Sequence, residues 1–358
     1  MRTKRLIIPG LMIFFLLLVV GIRVLIAKKH TGTNVGVGPE ETKDEAGYNL
    51  LYNPPAGGNP ENSGKILFCS DPSDSEKSVY YLYIINSDGS GKMKLPDFGK
   101  SMRHPVWSPE YSRIAYSALV DNKDKIFIMT ADGSQHKQLT FGEDRDVFPT
   151  WSPDGQYLAY ISYKDNTPNL YVMDIQGRNT KQLTFVEGKD TVLWPSWSPI
   201  SDVIAYSYNK AGEEIDFRIR TIKSDGTGMR EILSSDDPDL GDYDPAWSPD
   251  GKMLYFLSNR SSQMEIWKID YDKLQSQERE TGQMDFQEVG LKQISNLYGA
   301  NVSPDHRPRI SPDGKKIVFY GVGADWQNVG TNLYTINTDG TGLTNITKST
   351  DNDEWPDW

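Results

Sequence analysis

Two of the four histidines stand beside an arginine directly ahead of a proline, in Arg103-His104-Pro105 and His306-Arg307-Pro308. The place before an equivalent proline is held elsewhere by Phe148, Trp194, Asp244 and Trp355, and the residue before that by Val147, Leu193, Tyr243 and Glu354. Imidazole, guanidinium, carboxylate and indole groups hold a peptide or sugar chain by ion pairing and stacking. Their charges are sorted. Arg103, His104, His306, Arg307 and Arg309 flank Glu354 and Trp355, whereas Glu143, Asp144, Asp146, Asp236, Asp237, Asp239, Asp242 and Asp244 lie elsewhere. Trp326, in GADWQNVG, is a further contact candidate. The candidate binding set is therefore Arg103, His104, Phe148, Trp194, Tyr243, Asp244, His306, Arg307, Trp326, Glu354 and Trp355.

Catalytic signatures are absent. There is no GxSxG elbow and no HExxH, and Ser134-Gln-His-Lys137 falls in a turn region where SxxK has no helical spacing. No enzyme is expected, and no cofactor. Calcium would suit the oxygen-rich DDPDLGDYD, but that stretch lacks a DxDxDG loop with a distal Glu. Asp146, Asp242, Asp305 and Asp353, each three residues before a repeat proline, read as loop-capping side chains.

The elements that must position these residues are announced by repetition. PVWSPEYSRIAY starts at Pro105, PTWSPDGQYLAY at Pro149, PSWSPISDVIAY at Pro195 and PAWSPDGKMLYF at Pro245. PRISPDGKKIVF follows at Pro308, and the chain stops at PDW, residues 356–358. After each proline segment come a short apolar strand, a polar loop, and a second strand such as KIFIM, NLYVM, EIWKI or NLYTI. A turn such as ADGS or TDGTG then leads to a last strand ending in QLT, QIS or NIT. Four short strands per roughly 45 residues mean propeller blades. Residues 65–95 supply three strands without a leading PxWS, and EWPDW supplies that strand without successors. Joined, they make the sixth blade and close the ring, which removes an exposed sheet edge.

The repeated Trp, Pro, Asp and Gly residues read as scaffold. Pro153, Asp154 and Gly155 suit a tight turn from the channel-lining strand into its neighbour. Trp151 and its counterparts have the size to fill the wedge between blades. Such turns put two tight connections per blade on one rim, except for a polar insertion near 271–290. The other rim is expected to carry the longer SDPSDSEKS, SALVDNKD, SYNKAGEEID and GVGADWQNVG connections. Variable loops on one side of a repeat array mark its binding face.

WSPDG, followed by IAY-like and LYxM-like strands and DGxxxxQLT, resembles the TolB-type propeller repeat over roughly residues 60–358. The resemblance implies a six-bladed periplasmic scaffold that binds a peptidoglycan-associated lipoprotein at one channel mouth, within an envelope-spanning complex. TolB also carries an α/β domain ahead of its propeller, where this sequence has only the polar spacer 31–64. Contacts made through that domain do not carry over. The repeat also occurs beside peptidase domains and in polyuronide lyases, which makes a lyase-like carbohydrate-active propeller the alternative. A sensory or structural ectodomain is another.

Residues 1–30 differ from the rest. Leu6 to Ile22 is uncharged and apolar, and extension to Ala27 reaches a full membrane span if Arg23 snorkels. The small-residue pattern of a cleavage site is poor, so an uncleaved signal-anchor is expected, single-pass in the cytoplasmic membrane with the propeller on the extracytoplasmic side. Cations flank the run on both sides, and the signal-like start decides the orientation. The first 30 residues hold six cations and no acids, leaving residues 31–358 at a net charge of −17. So acidic a body excludes a phosphate-tracking role, and no nucleic acid partner is expected. An envelope protein or cell-wall polymer is expected as partner, and the propeller as a monomer. Cys69, the lone cysteine, sits in the apolar run ILFC and reads as a buried small side chain.

Overall fold

The computed structural model describes residues 62, 64–72, 78–210, 217–233, 239–281, 289–323 and 330–358. The proposed anchor and nearly all of the spacer lie outside them, as does Trp326. Among the described residues, no helix is long and apolar enough to cross a membrane.

Among the described residues, twenty-four strands form six antiparallel sheets of four. In the second blade these are Met102–Trp107, Arg113–Val120, Lys123–Thr130 and Lys137–Gln138, from the innermost strand outward. Asp146–Trp151, Thr191–Trp197, Asp242–Trp247 and Ser303–Ile310 are the innermost strands of the third to sixth blades. The first blade is assembled from both ends of the chain: Asn352–Asp357 pairs with Lys65–Asp71, bringing Ser70 opposite Asp353. This seam leaves no innermost strand without its partner, as the sequence led us to expect.

The core lies between blades. Val106, Ala115, Ile126, Ile128 and Leu139 of the second blade pack with Trp151, Leu158, Tyr160, Tyr171 and Met173 of the third. At three of the wedges the repeated indole hydrogen-bonds back to the preceding blade, whereas Trp107 Nε1 and Trp197 Nε1 have no hydrogen-bond partner among the described residues. Trp151 Nε1 donates to Val106 O at 3.3 Å, Trp247 Nε1 to Ser196 O at 3.0 Å, and Trp358 Nε1 to Arg309 O at 2.9 Å. The SPDG turns close as their residue types dictate. Asp154 Oδ1 accepts from Ser152 Oγ and from Gln156 N–H, while Gly155 takes φ +65°. Ser248-Asp250 and Ser311-Asp313 repeat that geometry.

Two connections depart from expectation. SALVDNKD is not a long loop. Its strands run on to Val120 and from Lys123, and they meet at Asp121 and Asn122, both at positive φ as a two-residue hairpin turn requires. Part of the polar insertion of the fifth blade folds as a helix, α1 (Tyr271–Thr281). It holds on because Tyr271 and Leu274 are buried in the interblade core, with Tyr271 edge-on to Trp247 at 4.7 Å.

Candidate functional site: the channel mouth

Each innermost strand carries the same irregularity. In the second blade Arg103 faces Ser117 but Val106 faces Ala115, so one extra residue is accommodated between them. Equivalent shifts occur in the other five blades. The residue before the proline then takes a left-handed backbone: His104 φ 53°, Phe148 56°, Trp194 52°, Asp244 51°, Arg307 61° and Trp355 56°. Proline cannot donate to the ladder, so pairing is interrupted there in any case and a bulge fits. Non-glycine residues seldom adopt this conformation, and each costs of the order of 1–3 kcal/mol. Glycine occupies none of the six positions. The side chains are kept despite the strain.

The bulges turn those side chains onto the axis, where they pack together. The His104 ring lies 4.3 Å from that of Phe148 and 4.5 Å from Trp355. His306 of the sixth blade stacks parallel to Trp355 at 6.1 Å and reaches Trp194 of the fourth at 4.7 Å. Arg307 Cζ stands 5.6 Å from the Trp355 ring. All six pre-proline residues are buried, none more than 5% exposed. They form the floor of the mouth rather than exposed rings around it, because the left-handed turn points them inward.

The floor is polar as well as aromatic. His306 Nδ1 lies 2.6 Å from Asp244 Oδ2, and His306 Nε2 lies 3.5 Å from Asp305 Oδ1. Burial alone would strip the imidazole of its proton, but Asp305 and Asp244 together raise its pKa above the usual value. His104 is the opposite case: burial, reinforced by Arg307, Arg145 and Arg103, holds it neutral, with Nδ1 3.0 Å from Ser117 Oγ. One ring is poised as a cation and the other as a neutral partner, set by their neighbours.

Above the floor is a half-buried layer of Tyr80, Arg103, Asp305, Thr331 and Glu354. Arg103 Cζ sits 4.5 Å from the Tyr80 ring, and Thr331 Oγ1 donates to Glu354 Oε1 at 3.3 Å. Burial, and then the charge of Asp305, push the Glu354 carboxyl up to about 7. Tyr80 and Thr331 carry no signal in the sequence, since neither belongs to the repeated proline segment. Tyr243 is buried with its ring 5.2 Å from Phe217 and 6.3 Å from Trp194, so it supports the floor from the side.

The recurrent aspartates are not loop caps. Asp242 accepts from Arg260 Nε and Nη2, Asp353 pairs with Lys92 at 3.2 Å, and Asp146 lies 3.5 Å from Lys125. Burial makes a cationic partner necessary. Of the acids read as separate clusters, Asp242 and Asp146 are thus spent within the scaffold and Asp244 on His306, while Asp236 and Asp237 lie outside the described residues. Among the described residues, no three His, Cys, Asp or Glu side chains are grouped to hold a metal ion.

Residues 61–232 match the family described as PD40, TolB beta propeller domain. An uncharacterized protein of Agrobacterium fabrum is 30% identical over 138 residues, which is 37% of this chain and 36% of that relative. The match therefore spans about a third of that relative's length. Among solved structures, TolB from Acinetobacter baumannii superposes with a TM-score of 0.65 at 18% identity, over 82% of this chain and 66% of that one. An oligogalacturonate lyase in complex with manganese gives 0.54 at 16%, over 81% and 75%. At these identities the likeness is one of fold.

Proposed function

The chain carries a TolB-type β-propeller repeat, and from that premise we propose that it is a non-catalytic binding scaffold, held at the cytoplasmic membrane by its N-terminal segment, that receives an envelope protein or cell-wall polymer at its channel mouth. The propeller fold supports a scaffold or binding role in general. The observation that carries the finer reading is the contrast within each repeat. SPDG turns and interblade tryptophans recur, whereas the six axial positions hold His, Phe, Trp, Asp, Arg and Trp at a backbone cost that glycine would avoid.

The point of entry of the chain fits this role. Lys65 stands opposite Asn86, where the tight Asn86–Ser90 turn begins, and Asn62 Nδ2 donates to Tyr111 O at 3.5 Å, in the SPEYS turn. The spacer thus joins the propeller on the tight-turn rim, opposite the mouth.

Photo-crosslinking in intact cells tests the reading, with the full-length chain carrying the probe at Tyr80 or, as control, at Tyr157 on the opposite rim. A defined envelope protein or wall polymer trapped from Tyr80 and not from Tyr157 is expected. Equal labelling from both, or none, sinks it. Release of unsaturated uronides from polyuronide, seen as new ultraviolet absorbance, would establish the lyase alternative in its place.

A further inference from the structure

Acids outnumber lysine and arginine by 49 to 38 in this chain, and its partly buried arginines find them readily. Arg113 pairs with Glu110, Arg145 with Asp124, Arg220 with Glu231, Arg260 with Asp242 and Arg309 with Asp357. Arg103 and Arg307 are different. Among the described residues, no carboxylate lies within ion-pair distance of either, although Arg307 is only 2% exposed. Arg103 Nε and Arg307 Nη1 are buried without a hydrogen-bond partner among those residues. Both arginines belong to the mouth: Arg103 in the layer beside Tyr80, Arg307 in the floor against Trp355.

Leaving a guanidinium buried and unpaired is costly, because its hydration is lost and nothing replaces it. The nearby acids face other partners: Asp244 Oδ2 meets His306 while its Oδ1 has no hydrogen-bond partner among the described residues, Asp357 is held by Arg309 and by Trp107 N–H, and Glu354 accepts from Thr331. Burial raises the pKa of both acids of the layer itself, Glu354 and Asp305, that of Glu354 to about 7.

We propose that the mouth is a carboxylate-binding site, in which the free carboxylate at the end of a narrow chain is received by Arg103, with Arg307 beneath it and the Tyr80 ring alongside. The planar guanidinium fork matches a carboxylate in two parallel hydrogen bonds, which a lysine could not supply. A chain end suits the geometry, since the site lies on the axis of a ring of six strands and is closed below by the aromatic floor. The inference rests on the binding role proposed above and names the chemistry of that same mouth.

Titration calorimetry on the full-length chain in detergent tests it with four probes: N-acetyl-alanyl-alanine, its C-terminal amide, galacturonic acid and galactose. Binding of at least one acid, ten-fold or more tighter than its neutral counterpart and weakened by added salt, is expected. A peptide-only response assigns the carboxylate to a peptide terminus, and a sugar-only response to a sugar acid. Arg103→Gln should abolish that preference without lowering the melting temperature, and Arg103→Lys should restore only part of it. Acid and neutral probes binding alike, neither acid binding, or an Arg103→Gln protein with its preference intact would overturn the proposal. Partner trapping from Tyr80 that persists in the face of such a result would leave the scaffold role standing; its loss would remove both.

Discussion

His306 Nδ1 and Asp244 Oδ2 meet at 2.6 Å between the sixth and fifth blades, although 62 residues separate them in the chain. The folded state raises the pKa of His306, so the pair stabilises the propeller fully below the unfolded value and progressively less as pH rises through the folded one. Asp244→Asn should lower the His306 pKa, flatten that loss of stability with rising pH, and cost about 1–3 kcal/mol. Histidine titration by NMR, with melts at several pH values, checks it. An unmoved titration would separate the two residues functionally.

Glu354 titrates in the same direction for a different reason. Its carboxyl is held at about 7 in the fold against an ordinary value of 4.5, so the native state keeps a proton that the unfolded chain releases. Stability therefore falls as pH rises from about 4.5 to about 7. Glu354→Gln should remove this part of the slope and be more stable than the parent at pH 8, as read by denaturant melts. A slope unchanged by the substitution would contradict the burial of this carboxyl.

Trp197 fills the wedge between the third and fourth blades, 8% exposed, with its backbone N–H donating to Thr150 Oγ1 at 3.3 Å. Trp197→Ala should cost about 3–5 kcal/mol, the range for emptying a packed aromatic site. Urea unfolding measures it directly, and a loss under 1 kcal/mol would be inconsistent with interblade packing.

Gly177 sits at φ +80° in a third-to-fourth-strand turn, and a Cβ there would stand 2.5 Å from Leu139 O of the preceding blade. Gly177→Ala meets both the left-handed penalty and that carbonyl. It should destabilise by more than about 1 kcal/mol. Gly188→Ala shares the positive φ but meets nothing within 4 Å, so the difference between the two isolates the contact.

Blade count, strand order within a blade and ring closure were legible because each is a local pattern multiplied. A short apolar strand, an Asp-Gly turn and a proline segment need only their own few residues to declare themselves. SALVDNKD was misread because composition does not distinguish a loop from strands meeting at a two-residue turn, and positive φ at Asp121 and Asn122 is invisible until the register is set. Tyr271 and Leu274 lie in a polar stretch with no repeat, and the interblade core that buries them, Trp247 included, exists only in the folded ring.

Sequence by itself determined which residues stand before the repeat prolines, and hence that His104, Phe148, Trp194, Asp244, Arg307 and Trp355 occupy equivalent places. Tertiary structure alone decided what those places are. Six bulges turn the side chains inward, so that groups far apart in the chain bury one another and form a floor. It also decided which charges are satisfied: Asp242 by Arg260, Asp244 by His306, and Arg103 by no acid of the described chain. Spacing along a chain sets a backbone pattern, whereas pairing and protonation follow from distances across the axis, which exist only once the ring has closed.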